Sequence, residues 1–491
     1  MLESAEMGRS ESRDAYDERL PALRVELLNA QFDLRGAKFP VVLLVAGDDH
    51  IGCNAVVNVL HEWLDARYLR THAFTRATHE ERERPRFWRY WRALPGRGET
   101  ALYVGAWPQA VVADRARRKI GKGEFGRRLG HIARFESTLV REGALVVKFW
   151  LHLPKKELQK RLRRAKKDPE QNWRVGETDG YVYENWNRVI PLAEEMLART
   201  STGAAPWHVI ESSDARHRDL TIGETLLREL KEHTEGRPAP PPADAPTGGE
   251  VPPADGALAC TDLTASLSGE RYDKELAKRQ RQLRKLSGRA RKKGLSSVLL
   301  FEGWDAAGKG GAIRRITSAL DASDYHVVPI AAPTQEELAH HYLWRFWRHL
   351  PRAGRMLLFD RSWYGRVLVE RVEGYATSEA WQRAYSEIRD FEEQLAERGT
   401  PVLKFWLHID PETQLERFKA REITPYKKYK ITNDDYRNRE RWEDYSVAIE
   451  EMIARTTTES APWHVIAAND KKHARIQVLK TVCRALDRAL D

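Results

Sequence analysis

The sequence predicts two α/β domains in tandem, each with a parallel sheet covered by helices. Three observations lead to this fold class: segments recur at one constant spacing, short apolar runs alternate with helical patterns, and a glycine-rich loop follows one of the apolar runs. Strands that alternate with helices of about 10 to 20 residues are typical of βαβ units, which build a covered parallel sheet. The length of 491 residues also suits two domains.

The repeat covers most of the chain. "FWRYWRALPGRG" begins at residue 87 and "LWRFWRHLPRAG" at residue 343, an offset of 256, and "VVKFWLHL" at 146 and "VLKFWLHI" at 402 keep this offset. "APWHVI" occurs identically at 205 and 461. Between the copies lies "EGRPAPPPADAPTGGEVPPADGA", whose composition is typical of a semi-rigid linker. We therefore predict domains at 12–234 and 265–491, joined by a linker at 235–264.

The second repeat shows the alternation of elements most clearly. Its predicted strands are "SSVLLFEG", "HVVPI", "RMLLFD", "VLKFWLHI" and "PWHVIAA". Helices are predicted at 272–291, from about residue 310, through "EELAHHYLWRFWRHL" and near 379–398, with further helices flanking the last strand. The first repeat follows the same pattern.

The loop "GWDAAGKGG", residues 303–311, fits the phosphate-binding pattern G-x-x-x-x-G-K between a strand and a helix. Glycines let several backbone N–H groups point at one anion, and the following helix N-terminus adds its positive end. Lys309 supplies a cation for the transferred phosphate. The phosphate-binding residues expected here are Gly303, Ala307, Gly308, Gly310 and Gly311. A simple glycine-rich turn is the alternative.

The metal ligands cannot follow the usual pattern, because Gly310 replaces the Ser or Thr that would hold Mg²⁺. Two carboxylates are candidates. Asp305 lies inside the loop, and Asp360 ends the strand "MLLFD" in the position of a Walker-B aspartate. Carboxylate oxygens suit Mg²⁺, with Mn²⁺ as the alternative ion. Roles for Asp305 as a turn residue and for Asp360 as a helix cap remain open.

Basic residues follow Asp360 at two places. Arg361 and Arg366 flank a turn at the carboxyl end of a strand, where ligands of open α/β sheets bind, although solvated surface arginines are the alternative. The basic stretch 415–445 occupies the place of a lid, which in P-loop kinases closes over the phosphates. Its candidate phosphate ligands are Arg417, Arg421, Lys427, Lys428 and Lys430. Thr432 and Asp435 suit a capping box equally well.

The bulk composition narrows the classes of protein and of partner. The net charge of +10 favours polyanionic partners. No membrane span and no secretory signal are expected, and three scattered cysteines indicate a reducing compartment, hence a cytoplasmic location. Nucleic acid is not expected as a partner. The oligomeric state stays open, with a homo-oligomer as one option.

Four segments resemble the polyphosphate kinase 2 family: "EGWDAAGKGG", "DRSWYGR", "LWRFWRHLPRAG" and "YKITNDDYRNRERW". A chain of two fused repeats is similar to the class II members of that family. The resemblance implies a thymidylate-kinase-like P-loop fold with a helical lid. It also implies Mg²⁺-dependent transfer of the terminal phosphate of inorganic polyphosphate to AMP, giving ADP. By this resemblance Asp305, Lys309, Asp360 and Arg361 form the catalytic core, and a glycine at 310 belongs to the family pattern.

The offset of 256 shows what the first repeat has lost. Lys309 corresponds to Cys53, Asp360 to Val104, and Arg361 to Gly105. The basic residues Lys427, Lys428 and Lys430 correspond to Gln171, Asn172 and Arg174. We therefore expect the first repeat to be inactive, a scaffold or a weak polyphosphate binder through Arg89 and Arg92.

Two other functions are compatible with the residues alone. The first is a nucleoside monophosphate kinase that uses ATP, because the loop does not identify the donor. The second is a polyanion-binding module without catalysis, although an aspartate in an anion site serves no purpose in binding alone. Nucleobase preference, phosphorylation of ADP and the physiological direction also stay open.

Overall fold

The computed structural model describes residues 2–169, 172, 175–236, 256–425 and 433–491, of which 433–435 are described for the backbone only. They form two compact units. The first unit contains the described residues of Met1–Ala77, Arg89–Ala243 and Gln335–His341, and the second contains those of Thr78–Trp88, Asp244–Thr334 and Tyr342–Asp491. Each unit thus holds most of one repeat and a short segment of the other. Among the described residues, no helix is both long and apolar enough to span a bilayer.

The sheet of the first unit has five parallel strands in the order β2-β3-β1-β4-β5. The strands are β1 (Val41–Gly47), β2 (Leu69–Ala73), β3 (Thr100–Val104), β4 (Leu145–His152) and β5 (Trp207–Glu211). Every residue of β1 is buried, as expected of a central strand covered on both faces.

The second unit repeats this sheet, in the order β7-β8-β6-β9-β10 and again all parallel. The strands are β6 (Ser297–Gly303), β7 (Tyr325–Pro329), β8 (Met356–Asp360), β9 (Val402–His408) and β10 (Trp463–Ala467). All five strands predicted from apolar runs are confirmed within about two residues. The chain leaves β6 toward one side of the sheet and later returns to the other side, so the carboxyl end of β6 is the switch point where such sheets bind ligands.

Helices cover both sheets. The chain up to residue 234 forms α1 (Arg13–Asp33), α2 (His50–Trp63), α3 (His79–Arg82), α4 (Trp88–Trp91), α5 (Trp107–Ala116), α6 (Lys122–Arg141), α7 (Lys155–Lys167), α8 (Glu177–Glu184), α9 (Trp186–Thr200) and α10 (Ala215–Thr234). The chain from residue 269 forms α11 (Gly269–Lys293), α12 (Lys309–Thr317), α13 (Gln335–Leu338), α14 (Trp344–Trp347), α15 (Val369–Val372), α16 (Ser378–Glu397), α17 (Pro411–Glu422), α18 (Asn433–Glu440), α19 (Trp442–Thr456) and α20 (Lys471–Leu490). A short 3₁₀ helix spans Trp363–Val367.

One predicted helix is wrong. The pattern of "EELAHHYLWRFWRHL" predicts a single helix, but the segment forms the two short helices α13 and α14. Between them, the carbonyl of Ala339 accepts a hydrogen bond of 2.9 Å from the backbone N–H of Arg97. His340 Nε2 lies 3.2 Å from the carbonyl oxygen of Leu94. These bonds engage the backbone inside the first unit, so the helical bonding pattern stops there.

Each core contains the same buried ion pair. Lys148 on β4 lies 2.7 Å from Glu136 on α6, and Lys404 on β9 lies 2.8 Å from Glu392 on α16. Burial lowers the pKa of both lysines, while the paired carboxylate opposes that shift. Because the pair occurs at matching positions in both repeats, we assign it to the fold rather than to chemistry.

Candidate active site

The loop 303–309 connects β6 to α12 through a tightly constrained backbone. Gly303 has φ +143°, and a Cβ at this position would lie 2.5 Å from the carbonyl oxygen of Leu407 on the neighbouring strand. Gly308 has φ +114°, a conformation that side chains rarely adopt. The helix α12 begins at Lys309, so its first N–H groups face the loop, as the sequence predicted.

The side chain of Lys309 folds back over this loop. Its Nζ donates hydrogen bonds to the carbonyl oxygens of Gly303 at 2.6 Å and of Trp304 at 3.2 Å. Burial lowers the pKa of Lys309, whereas the nearby carboxylates of Asp305 and Asp360 raise it. The ammonium is therefore held where a phosphate bound by the loop would meet it.

The two oxygens of the Asp305 carboxylate have different partners. Arg361 Nη2 lies 3.1 Å from Oδ1, and Asn438 Nδ2 donates a hydrogen bond of 3.2 Å to Oδ2. Arg361 has φ +67°, which is unusual for a residue other than glycine and turns the chain sharply after β8. The structure thus brings Asp305, Arg361 and Lys309 together. Asn438 is an addition that the sequence analysis missed.

Asp360 ends β8 beside the first turn of α12. Its Oδ2 lies 4.0 Å from the position that a Cβ would take on Gly310. Its carboxylate forms no hydrogen bond or ion pair with another described side chain. The carboxylates of Asp305 and Asp360 both lie at the loop, and this pair of hard oxygen donors fits a hard divalent cation. Both oxygens of the Asp305 carboxylate already have partners, so the Asp360 carboxylate is the more available of the two for binding a cation.

A buried pair behind the loop also escaped the sequence analysis. Ser362 Oγ donates a hydrogen bond of 2.7 Å to Oε1 of Glu302, and both residues are buried. Burial raises the pKa of Glu302, while the bond from Ser362 and the charges of Lys309 and Arg361 oppose that shift. The bond ties the turn that carries Asp360 and Arg361 to the strand that carries the loop. The first repeat has Ala46 and Ala106 at these positions.

Arg417 holds the backbone of the loop through hydrogen bonds to carbonyl oxygens. Its Nη1 donates to the carbonyls of Ala306 and Ala307, and its Nη2 donates to the carbonyls of Ala468 and Asn469, all at 2.7 to 3.1 Å. Burial lowers the pKa of Arg417 to about 10. With four backbone partners, this guanidinium holds the loop to the end of β10, which differs from the lid role expected for it.

The other predicted phosphate ligands lie in several environments. Arg366 pairs with Glu370 at 3.2 Å, and its guanidinium carbon lies 4.4 Å from the centre of the Tyr342 ring. Arg421 is in the last turn of α17, close enough to Arg417 to lower its pKa. The remaining candidates lie outside the described residues or side chains: Lys427, Lys428, Lys430, Thr432 and Asp435. Arg475, which belongs to no sequence motif, reaches the loop instead. Its Nη2 lies 3.3 Å from the Cβ position of Gly311.

A cleft lies beside the loop, and its polar lining includes Glu302, Asp305, Lys309, Arg361 and Asn438. The same cleft is also lined by apolar and aromatic side chains, those of Trp304, Leu368, Val369, Trp406 and Tyr445. Trp304 stacks on Trp442 with ring centres 3.6 Å apart, and its Nε1 donates to Nδ1 of His408 at 3.1 Å. The cleft therefore joins a charged phosphate site to an aromatic and aliphatic wall.

The corresponding loop of the first unit is filled by its own side chains. The Asp49 carboxylate, the counterpart of Asp305, is fully buried and accepts a hydrogen bond of 3.0 Å from the backbone N–H of Gly52. It also accepts from Arg161 and Ser212. Cys53 takes the place of the lysine, and burial raises the pKa of its thiol well above the usual value. An internal carboxylate thus uses the loop N–H that would otherwise face an anion.

A five-stranded parallel sheet with a phosphate-binding loop at its switch point defines the second unit as a P-loop phosphotransferase of the α/β class. The model of the polyphosphate kinase 2 family matches residues 10–238 and 266–490. The chain belongs to the polyphosphate kinase 2 family. Phosphoryl transfer by such kinases requires a divalent metal ion.

Full-length relatives share this organisation. The chain is 46% identical over 492 residues to a polyphosphate:AMP phosphotransferase of Pseudomonas aeruginosa, covering 100% of this chain and 99% of the relative. A polyphosphate:AMP phosphotransferase of Acinetobacter johnsonii is 37% identical, with 94% and 95% covered. A crystal structure of a polyphosphate kinase 2 from Pseudomonas aeruginosa PA01 matches with a TM-score of 0.89 and 44% identity, covering 100% of this chain and 99% of that one.

Proposed function

We propose that the second unit transfers the terminal phosphate of inorganic polyphosphate to AMP and releases ADP. The observation that carries this proposal is the match, across almost the whole length of both chains, to relatives named polyphosphate:AMP phosphotransferase. The cleft supports it. Apolar and aromatic side chains line the same cleft as Asp305, Lys309 and Arg361, so a nucleotide base bound against them would place its phosphate near the donor.

In the proposed mechanism the donor's end phosphate lies over the loop 303–311. An oxygen of the AMP phosphate forms a bond to the terminal phosphorus as the P–O bond to the shortened chain breaks. AMP carries an ionised phosphate and needs little help from a base. Lys309 and Arg361 stabilise the charge on the transferred group, and the loop fixes its direction. A bound Mg²⁺, held by Asp305 and Asp360, would neutralise further charge on the phosphate oxygens.

Donor choice is the decisive test. The full-length protein is incubated with Mg²⁺ and AMP, with either polyphosphate or ATP as donor, and ADP is measured. We expect ADP from polyphosphate. If ADP forms with ATP as donor but not with polyphosphate, the protein is a nucleoside monophosphate kinase instead. If neither donor gives ADP, the result supports a polyanion-binding protein without catalysis.

The site is tested by Lys309→Ala. This variant removes the cation over the loop, so we expect kcat to fall by at least about 100-fold, as for other lost charge-stabilising groups. The matched control is Cys53→Ala at the equivalent position of the first repeat. It should keep wild-type activity if only the second unit is catalytic. Near-normal turnover of Lys309→Ala would refute the assignment.

A further inference from the structure

The helices α1 and α11 open the two repeats at equivalent positions and differ strongly in charge. The 25 residues of α11 contain eleven basic and three acidic residues. The 21 residues of α1 contain three basic and five acidic residues. Both helices pack against neighbouring helices, α1 against α10 and α11 against α20, and both bury equivalent apolar positions such as Leu27 and Leu283. The difference in charge therefore lies on the outer faces.

The basic residues of α11 form a continuous stripe. Lys274, Lys278, Arg281 and Lys285 follow each other at spacings of three or four residues and are all exposed. This spacing places them on one face of the helix. None of them forms an ion pair with a carboxylate among the described residues. A helix rises about 1.5 Å per residue, so these four positions alone span about 16 Å.

The stripe begins near the phosphate-binding loop. Arg475 reaches Gly311 at the start of α12, and Lys472 lies one turn before Arg475 on α20. The Nζ of Lys472 lies 3.5 Å from the Cβ position of Gly269, the first residue of α11. Cations thus lead from the loop over the start of α20 to the first turn of α11.

The α11 helix is also fixed to the helix that carries Lys309. Gln280 Nε2 donates a hydrogen bond of 2.9 Å to the carbonyl of Arg315 on α12. Arg315 Nε lies 3.4 Å from the hydroxyl of Tyr272 on α11. The basic face therefore keeps a fixed position relative to the loop.

The first repeat is an internal control for this surface. The counterparts of Lys274, Lys278, Arg281 and Lys285 are Glu18, Ala22, Val25 and Asn29. The counterpart of Arg475 is Asp219, which pairs with Arg218. These five positions are not basic in the repeat that has also lost the lysine of the loop, whereas Lys472 keeps a basic counterpart, Arg216. An exposed cation needed only for solubility or folding would have no reason to disappear together with that lysine.

We propose that the basic face of α11, with Lys472 and Arg475, is an extended binding track for the phosphate chain of the donor beyond its reacting end. The proposal rests on the proposed function, in that the donor is polyphosphate. A linear polyanion binds a row of cations by releasing its counterions, so affinity depends on the number of phosphates bound and on salt. A nucleic acid would meet the same charges, but the connection of the stripe to the loop favours a chain that ends at the catalytic site.

The test uses the full-length variant Lys278→Glu/Arg281→Glu/Lys285→Glu. The matched control is Arg163→Glu/Lys166→Glu/Lys167→Glu on the exposed face of α7, which changes the charge equally and replaces the same residue types. Binding of labelled long-chain polyphosphate is measured against salt, and melting temperatures confirm that both variants fold. Because the variant removes three phosphate-binding cations, we expect affinity to fall about tenfold and the salt slope to decrease by about 2. The control should bind like the wild type.

Turnover supplies a second measurement. The ratio of kcat/KM for long-chain polyphosphate to kcat/KM for tripolyphosphate should fall about tenfold in the α11 variant, because a short donor cannot reach the stripe. Unchanged binding of long chains, or an equal loss in the α7 control, would overturn the track. So would a loss of binding confined to single-stranded DNA. If the wild type makes no ADP from polyphosphate and AMP, the proposed function fails, and the binding comparison still decides the track.

Discussion

Ser362 and Glu302 form a buried hydrogen bond of 2.7 Å that connects the two strands from which the proposed catalytic groups project. Ser362→Ala would leave the buried Glu302 carboxyl without this partner, and an unsatisfied buried group costs about 1–3 kcal/mol. Because the bond ties the turn that carries Arg361 to the strand before the loop of Lys309, we expect kcat/KM to fall about tenfold. Steady-state kinetics of AMP phosphorylation measure this effect.

The pair should act as a unit. The double variant Glu302→Ala/Ser362→Ala reproduces the alanines of the first repeat. We expect its loss in kcat/KM to be smaller than the combined losses of the two single variants. Ser386→Ala is the control, since Ser386 Oγ donates only to the carbonyl of Arg383 in its own helix. Strictly additive losses would show that the two residues act independently.

Asn438 is expected to orient the carboxylate of Asp305, which we propose as a metal ligand. Asn438→Val copies the residue of the first repeat, Val182, and removes the hydrogen bond to Oδ2. We expect activity to require a higher Mg²⁺ concentration, with metal affinity about 10-fold weaker, as for other residues that orient a ligand. A Mg²⁺ titration of initial rates measures this shift, and Asn187→Val, at an exposed position in the first turn of α9, is the control. An unchanged Mg²⁺ requirement would contradict an orienting role.

The equivalent histidines His408 and His152 should affect stability in opposite pH ranges. Burial lowers the pKa of His408 to about 4. The contribution of His408 to folding stability is therefore present above about pH 6.5 and is lost as the pH falls toward 4. Burial also lowers the pKa of His152, but hydrogen bonds and charges from Asp48 and Glu6 outweigh it, so the net pKa is raised. Its contribution is present below about pH 6.5 and is lost as the pH rises above that value.

Melting temperatures of His408→Gln and His152→Gln, each compared with wild type across pH, test this contrast. The difference from wild type should shrink on acidification for His408→Gln and on raising the pH for His152→Gln. The same pH trend in both variants would contradict the assigned directions.

Restoring the lysine should not restore the first repeat. In a Lys309→Ala background, Cys53→Lys returns the cation, but the Asp49 carboxylate still accepts the Gly52 N–H and Val104 still replaces the second aspartate. We expect no gain in ADP formation over Lys309→Ala alone. A measurable gain would mean that the loop of the first unit can open to phosphate.

Much of the fold could be predicted because it depends on local pattern. The buried strands are unbroken apolar runs, and the offset between repeats showed that both units share one fold. The break between α13 and α14 could not be predicted, since it depends on a hydrogen bond between Ala339 and Arg97, which lie far apart in the sequence. The sequence periodicity there is helical.

Part of the candidate site could likewise be predicted from local sequence motifs, and part could not. Asp305 and Lys309 lie in one loop, and Asp360 and Arg361 end a neighbouring strand, so local motifs suffice to place all four. Glu302, Ser362, Asn438 and Arg475 belong to no motif, because their contacts come from the folded arrangement. A signal did exist for them: each is polar in the second repeat and is replaced at the offset of 256 by Ala46, Ala106, Val182 or Asp219.

The close approach of Gly303 to the strand beside it has a consequence for how each repeat tolerates substitution. A Cβ on Gly303 would collide with the Leu407 carbonyl oxygen, and a Cβ on Gly47 would collide with that of Leu151. In a saturation scan scored by protein abundance, the two glycines should therefore be equally intolerant. Lys309, at the other end of the same loop, should tolerate substitution in that screen but not in a screen scored by activity. Comparing the two screens would separate the residues that the loop needs in order to fold from those that it needs for activity.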